Sequence, residues 1–255
     1  MIVPYIGITG VMNRSQIVAI GAGALNLMYH SGRQIMIGVL ASSKTLAGQK
    51  NKYPYLYPPI KNLPEIFASD PRFLNLVHYN TDNPLLLRDE IFKIVQLFKE
   101  RRNGLNGFQL NVSWPSISHM EDIKTAFPKL KIILQIGTEA FKQAGHSPKR
   151  VMEMAGDYLP FVDYFLLDAS AGFGRPLHAA TLRPYLRELS AFFTAGLCVA
   201  GGLGPDALHL AEPLIKEFPG LSIDAQSGLQ EDYALCVPRA VEYIHQSLKM
   251  YKKYE

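Results

Sequence analysis

The chain has 255 residues, of which 48% are hydrophobic and 19% are charged, and its formal net charge is +4. This apolar content excludes a wholly disordered chain, and so small a positive excess does not indicate nucleic-acid binding. Two cysteines are too few for a disulfide framework, and the amino terminus lacks a signal-peptide pattern. We expect a cytoplasmic protein with one domain over residues 1–255, no nucleic-acid partner and no membrane association.

Eight short apolar segments are predicted to be strands. They are Ile2–Gly7, Gln34–Leu40, Phe73–Tyr79, Gly107–Val112, Lys131–Ile136, Phe161–Leu167, Gly196–Ala200 and Leu221–Ala225. Helical periodicity marks the segments between and after them. These are Ser15–Tyr29, Leu85–Arg102, Ser118–Ala126, Pro148–Leu159, His178–Ala191, Pro205–Phe218 and Val237–Tyr251. Asn13 and Ser147 are predicted to cap two of these helices, because their side chains accept hydrogen bonds from a first helical turn.

Strands that alternate with helices are parallel, and eight such units in this length are typical of a closed (β/α)₈ TIM barrel. An open, doubly wound sheet is the alternative. The barrel is favoured by the strand count and because Gly7-Ile8-Thr9-Gly10 lacks the other glycines of a dinucleotide-binding fingerprint.

One segment, Ala41–Arg72, interrupts the alternation with a long irregular loop after the second strand. It contains several prolines and a Tyr53–Tyr57 run, and only Leu63–Ala68 is predicted to form a short helix. Loops of this length are uncommon without a role, so a lid over the barrel mouth is one interpretation. Tyrosines packed on the side of the barrel are the other.

Candidate functional residues lie where the strands end, because a barrel builds its site at the carboxyl ends of its strands. Asp168 ends the sixth strand and alternates in phase with Tyr164 and Leu166, so its carboxyl group is predicted to point into the barrel and to suit a general acid. A structural carboxylate that accepts N–H bonds from the Ser170–Gly174 loop is the alternative.

The loops after the seventh and eighth strands are predicted to bind phosphate. Gly201 and Gly202 end the seventh strand before a helix that opens with Pro205, and glycines let backbone N–H groups converge on an anion. The eighth strand ends with small and polar residues, of which four are candidate ligand contacts. They are Asp224, Gln226, Ser227 and Gly228. A tight turn without a ligand is the alternative for the glycine pair.

Five segments in this order resemble the phosphoribosylanthranilate isomerase family. They are Gly7–Thr9, Gln109-Leu110, Leu166–Ser170, Leu197–Pro205 and Ile223–Gly228. The resemblance implies a barrel that binds a phosphorylated substrate and opens its ribose ring by proton transfer. It implies that Asp168 is the general acid.

The chain departs from the family at the other half of the site. The family's cysteine base aligns with Ile6, which is expected to face the barrel interior, and its histidine after Gln-Leu aligns with Asn111. Lys44 is the nearest match to the arginine that holds the substrate carboxylate, and lysine lacks the two-pronged geometry of arginine. His78, at the end of the third strand, is the candidate substitute base, and a hydrogen-bonded polar residue without a catalytic role is the alternative.

These features predict a diverged member of the family that binds a phosphorylated small molecule, with Asp168 and His78 as candidate catalytic residues. The isomerase itself with a substituted base, or a non-catalytic barrel that binds a phosphorylated metabolite or a protein, are the alternatives. The histidines and cysteines show no metal-binding spacing, so no metal or cofactor is predicted, and a homodimer is left open.

Overall fold

Eight parallel strands pair in chain order, and the first also pairs with the eighth, so the sheet closes on itself. A computed structural model describes residues 2–99, 104–168 and 176–255. Its barrel strands are β1 (Tyr5–Thr9), β2 (Gln34–Ser42), β3 (Phe73–Asn80), β4 (Gly107–Leu110), β5 (Lys131–Gly137), β6 (Tyr164–Asp168), β7 (Gly196–Ala200) and β8 (Ser222–Ala225). The predicted closed barrel is confirmed, and the open sheet is excluded because neither β1 nor β8 is an edge.

The helices surround the strands. The α-helices are α1 (Arg14–Ala24), α2 (Ser43–Leu46), α3 (Leu63–Ile66), α4 (Leu87–Lys99), α5 (Ile117–Ala126), α6 (Thr138–Gln143), α7 (Pro148–Gly156), α8 (Ala179–Phe192), α9 (Glu212–Glu217) and α10 (Val237–Tyr251). Short 3₁₀ helices cover Leu25–His30, Pro54–Leu56, Ile60–Asn62, Pro84–Leu86, Pro205–Leu210 and Ser227–Leu229. Both predicted caps are confirmed, because Asn13 accepts from the N–H of Gln16 and Ser147 from that of Arg150.

Two predicted helices are divided. The first continues after Ala24 as a 3₁₀ helix, beyond Gly21 and Gly23, which favour the α-helix less than other residues do. The helix predicted over Pro205–Phe218 is a six-residue 3₁₀ helix followed by α9. Residues 100–102 of the predicted Leu85–Arg102 helix lie outside the described residues.

Side chains alternate between the barrel interior and the layer beneath the helices. The apolar interior cluster contains Tyr5, Met36, Leu74, Leu76, Ile133, Tyr164, Leu166 and Cys198. Ile6 instead belongs to the outer cluster, with its strand neighbours Ile35 and Ile223. The prediction that Ile6 faces the barrel interior is therefore wrong, because Tyr5 takes that orientation and successive residues of a strand point to opposite faces.

The first strand is also displaced from its predicted span of Ile2–Gly7. It runs from Tyr5 to Thr9, and Thr9 still pairs with Gly38 of β2. Its inward residues are therefore Tyr5, Gly7 and Thr9, of which Thr9 comes last and reaches the mouth of the barrel.

The segment after β2 is mostly irregular, as predicted, with α2, two 3₁₀ turns and α3 as short interruptions. A two-stranded antiparallel hairpin, β9 (Gln230–Glu231) and β10 (Ala234–Leu235), follows β8 and was not predicted. Within the described residues, no helix has both the length and the apolar character needed to cross a membrane.

Candidate functional site

A cavity of about 510 Å³ lies at the carboxyl ends of the barrel strands. Buried polar side chains form its floor, in place of the apolar cluster deeper in the barrel. They are Thr9, His78, Gln109, Asp168 and Asp224, each less than a tenth exposed. A second cavity, of about 660 Å³, lies at the opposite end, and its described lining is mostly apolar with no carboxyl or imidazole group. The first cavity, at the carboxyl ends of the strands, is the better candidate site because it contains the groups able to transfer protons.

Thr9 connects two ionisable residues on this floor. Its hydroxyl donates to Asp224 Oδ1 at 3.0 Å, and its oxygen lies 3.3 Å from His78 Nδ1. Closure of the barrel makes this contact, because β1 lies between β2 and β8. Gly38 leaves room for the imidazole: a Cβ there would lie 2.6 Å from both His78 Nε2 and Thr9 Oγ1.

Burial shifts the two ionisable residues in opposite directions. Desolvation lowers the pKa of His78 to about 3, so its imidazole is neutral at physiological pH. Desolvation raises the pKa of Asp224 to about 7, and the charge of Asp168 acts in the same direction, against a hydrogen bond from Thr9. Both protonation states of Asp224 are therefore populated near neutral pH.

Asp168 lies on the cavity floor with its side chain inside the barrel, as the alternation of β6 predicts. The amide of Gln135 on β5 donates to Asp168 Oδ2 at 3.1 Å. The Ser170–Gly174 loop, which the alternative interpretation invoked, lies outside the described residues. On β4, the amide of Gln109 donates to Asn111 Oδ1 at 3.2 Å, and Gln109 Oε1 is buried without a partner among the described residues.

The loops after β7 and β8 form another part of the wall. Gly201 and Gly202 adopt φ values of 131° and 58°, which favour glycine, and both line the cavity. Asp224, Gln226 and Ser227 line it from the next strand. The helix that begins at Pro205 is only a short 3₁₀ helix, so its dipole adds less than the predicted α-helix would.

Tyrosines from two separate segments form the rim. Tyr53, Tyr55 and Tyr57 come from the irregular segment after β2, and Tyr233 comes from the β9–β10 turn. The rings of Tyr55 and Tyr233 are 5.7 Å apart, so the two segments meet over the mouth. The predicted contact of this segment with the barrel mouth is thereby established.

Two predicted site residues lie away from the cavity. Lys44 is half exposed on α2, with its amine 3.5 Å from an Asp82 carboxylate oxygen. Gly228 lies behind the wall, where its backbone packs so closely against Leu203 that a Cβ would be 2.2 Å from the Leu203 oxygen. The other eight predicted residues line the cavity: His78, Asn111, Asp168, Gly201, Gly202, Asp224, Gln226 and Ser227.

Four further residues that line the cavity have no predicted site role: Thr9, Gln135, Gln230 and Tyr233. Thr9 lay beyond the predicted end of the first strand. The sequence does indicate a role for Gln135, because an amide side chain among the apolar residues near the end of a strand needs a hydrogen-bond partner. Gln230 and Tyr233 belong to the unpredicted hairpin.

The described residues contain no group of three histidine, cysteine or acidic side chains able to hold a metal ion. The lining has two carboxyl groups, Asp168 and Asp224, and no lysine or arginine among its described members. Among the described residues, an anion bound here would therefore meet only backbone and neutral side-chain donors.

Comparison with known proteins identifies the fold. No protein-family profile matches the chain, and no curated protein matches it in sequence. Similar solved structures include the catalytic domain of a chitinase from Pyrococcus furiosus, with a TM-score of 0.55 and 9% identity over 99% of this chain and 97% of that one. The carboxyl transferase domain of Rhizobium etli pyruvate carboxylase, with pyruvate, has a TM-score of 0.58 and 13% identity over 99% of this chain and 48% of that one. At such identities the likeness establishes a TIM-barrel fold and nothing finer.

Proposed function

We propose that the chain is a diverged relative of the phosphoribosylanthranilate isomerase family that binds a phosphorylated small molecule. In this proposal Asp168 transfers a proton to or from the ligand. The observation that carries it is the shared cavity: Asp168 lines the same space of about 510 Å³ as Gly201, Gly202 and Ser227. A proton-transfer group and an anion-binding loop on one small ligand require this proximity.

The phosphate group binds at the loops after β7 and β8, the recurrent phosphate position of this fold. Gly201 and Gly202 allow close approach of the backbone, and the Ser227 hydroxyl is a further donor. Because Asp224 lies beside these loops, phosphate binding favours its neutral form. Binding should therefore take up a proton near pH 7 and weaken at higher pH.

Asp168 serves as the acid or base in this scheme. The Gln135 amide orients its carboxyl group through the 3.1 Å hydrogen bond. Asp168→Asn keeps the shape and can still accept that bond, so we expect it to abolish turnover while ligand binding persists. A non-catalytic barrel would bind the ligand equally well with either residue and turn over with neither.

The parent isomerase reaction is the competing function, and we expect the chain to be nearly inactive in it. Ile6 packs under the helices, so Ile6→Cys would not deliver a thiolate to the cavity. Cys198 is fully buried below the floor, where desolvation raises its thiol pKa. Complementation of a tryptophan auxotroph by the unmodified chain would support the isomerase and contradict this expectation.

Gly202→Val tests the phosphate position, because a branched side chain at φ 58° blocks backbone approach and strains the loop. Gly145→Val is the matched control, since Gly145 has φ 61° and open space around it, away from the cavity. Calorimetric titration with ribose 5-phosphate, and with ribose as the uncharged counterpart, measures binding.

We expect Gly202→Val to weaken ribose 5-phosphate binding at least about tenfold, which corresponds to about 1.4 kcal/mol. The control should bind as the wild type does, and both variants should keep the wild-type circular dichroism spectrum. Equal affinity in the two variants, or equal affinity of the wild type for ribose and its phosphate, would contradict the proposed phosphate site.

A further inference from the structure

Three buried side chains on β1, β3 and β8 form a continuous hydrogen-bonded chain beneath the cavity. His78 Nδ1 lies 3.3 Å from Thr9 Oγ1, which lies 3.0 Å from Asp224 Oδ1. Their exposed fractions are 2% for His78, 2% for Thr9 and 6% for Asp224, so bulk water does not compete for these bonds. The proton arrangement is therefore set by the three groups themselves.

The Thr9 hydroxyl has a single proton, so it can donate to only one of its two neighbours. When Asp224 is ionised, Thr9 donates to the carboxylate, its oxygen accepts from Nδ1–H of His78, and Nε2 is an acceptor. When Asp224 is protonated, the carboxyl group donates to Thr9, Thr9 donates to Nδ1, and the ring proton is on Nε2. The charge state of Asp224 thus determines which imidazole nitrogen carries hydrogen.

His78 Nε2 is the open end of this chain. It is buried and has no hydrogen-bond partner among the described residues, an arrangement that costs about 1–3 kcal/mol. It lies over Gly38 at the floor of the cavity that His78 lines, where only a glycine leaves enough space. A ligand in the cavity would supply the partner that the described residues do not.

The surrounding groups keep the imidazole neutral and leave Asp224 able to change state. Burial lowers the pKa of His78 to about 3, so an imidazolium is not formed near neutral pH. Burial raises the pKa of Asp224 to about 7. The ionisable groups that act on Asp224 or sense its charge are Asp168, Tyr5, Cys198 and Tyr243, and none of them is a cation that would hold it ionised.

We propose that Thr9 relays a proton between His78 and Asp224, which makes the buried imidazole a competent base or acid toward a ligand. A ligand X–H bond breaks, its electron pair stays on X, and the proton bonds to Nε2. The proton on Nδ1 passes to Thr9 Oγ1, and the Thr9 proton passes to Asp224 Oδ1. The ring stays neutral throughout, and one negative charge moves from Asp224 to the ligand.

The reverse sequence delivers a proton to the ligand. The relay suits a ligand with a hydroxyl group, or with a C–H group next to a carbonyl or imine. The relay rests on the proposed function in one respect only, which is that a ligand occupies the cavity. Thr9 is a positioning residue in this scheme, because it acts through His78 and not on the ligand.

Nitrogen-15 NMR of the ligand-free, histidine-labelled chain tests the relay directly. Long-range proton–nitrogen spectra recorded from about pH 5 to about pH 9 report which ring nitrogen carries the proton. His78→Gln assigns the signal. We expect the His78 ring to stay neutral and to change from the Nε2–H to the Nδ1–H form as the pH rises through about 7, because Asp224 ionises there.

Thr9→Val is close in shape and removes the hydroxyl, so we expect the tautomer to become independent of pH. Thr9→Ser keeps the hydroxyl and should restore the change, and Asp224→Asn should abolish it while the chain stays folded. A pH-dependent tautomer in Thr9→Val, a constant tautomer in the wild type, or a second ring proton near neutral pH would overturn the relay. Because no ligand is used, these outcomes are independent of the phosphate-binding test.

Discussion

At the scale of single residues, the site requires a glycine at position 38. The His78 ring and the Thr9 hydroxyl occupy the space where any other residue would place its Cβ, at 2.6 Å from each. Both neighbours are buried and contact each other, so neither can move aside without losing that contact. The requirement for glycine here comes from close packing, since Gly38 has no left-handed backbone conformation.

Gly38→Ala should lower the free energy of unfolding by about 1–3 kcal/mol, the usual cost of overpacking a filled interior. Urea denaturation measures the loss. Gly156→Ala is the control, because a Cβ at this last residue of α7 meets nothing within 4 Å and alanine favours the helix. An equal effect of the two substitutions would show that the packing around Gly38 is not the cause.

At the scale of elements, the β2–β3 segment and the β9–β10 hairpin meet over the cavity. Tyr55 and Tyr233 make that contact, with ring centroids 5.7 Å apart, although Tyr233 is 71% exposed. The Tyr53 ring lies 6.0 Å from that of Tyr55, tilted by 55°, and extends the rim. An aromatic pair of this kind contributes about 0.5–1.5 kcal/mol beyond its buried area, enough to bias the position of a loop.

Tyr233→Ala should therefore loosen the segment after β2. The rate of limited trypsin digestion measures this loosening, because Lys50 and Lys52 are exposed in that segment. We expect cleavage after these two lysines to become severalfold faster. Tyr233→Phe keeps the ring and should behave as the wild type does. Phe192→Ala removes a similarly exposed aromatic ring at the end of α8 and should leave the rate unchanged; faster cleavage in that variant would assign the effect to a general loss of stability.

For the whole molecule, barrel closure gives the stability a characteristic dependence on pH. Asp224 has a raised pKa, so its contribution to stability is complete below about pH 4 and is lost as the pH rises to about 7. His78 has a lowered pKa, so stability is gained as the pH rises from about 3 to about 6.5. The two contributions oppose each other between about pH 4 and pH 6.5.

Asp224→Asn removes the first contribution. The stability of this variant relative to the wild type should increase as the pH rises from about 4 to about 7, by an amount on the order of 4 kcal/mol, and should then level off. Urea denaturation of both chains at about pH 4, 5, 6, 7 and 8 measures the difference. A difference that is the same at every pH would mean that Asp224 ionises in the folded chain much as it does in the unfolded one.

The sequence by itself determined the order of the strands, the closed barrel and the inward orientation of Asp168. These follow from local rules: apolar strands alternate with amphipathic helices, and side chains on a strand point to alternate faces. For Ile6 the alternation was predicted in the wrong phase, because β1 begins at Tyr5 and Tyr5, not Ile6, is the residue that faces inward. The three residues before β1, Ile2–Pro4, are also apolar and do not mark where pairing begins.

Only the tertiary structure decided which inward residues share a layer. Thr9 and His78 are 69 positions apart in the chain, and Thr9 and Asp224 are 215 apart. Their contact depends on the register of β1 against both β2 and β8, which is set when the barrel closes. The tyrosine rim likewise depends on a loop and a hairpin that meet only across the folded mouth, since no local pattern relates Tyr55 to Tyr233.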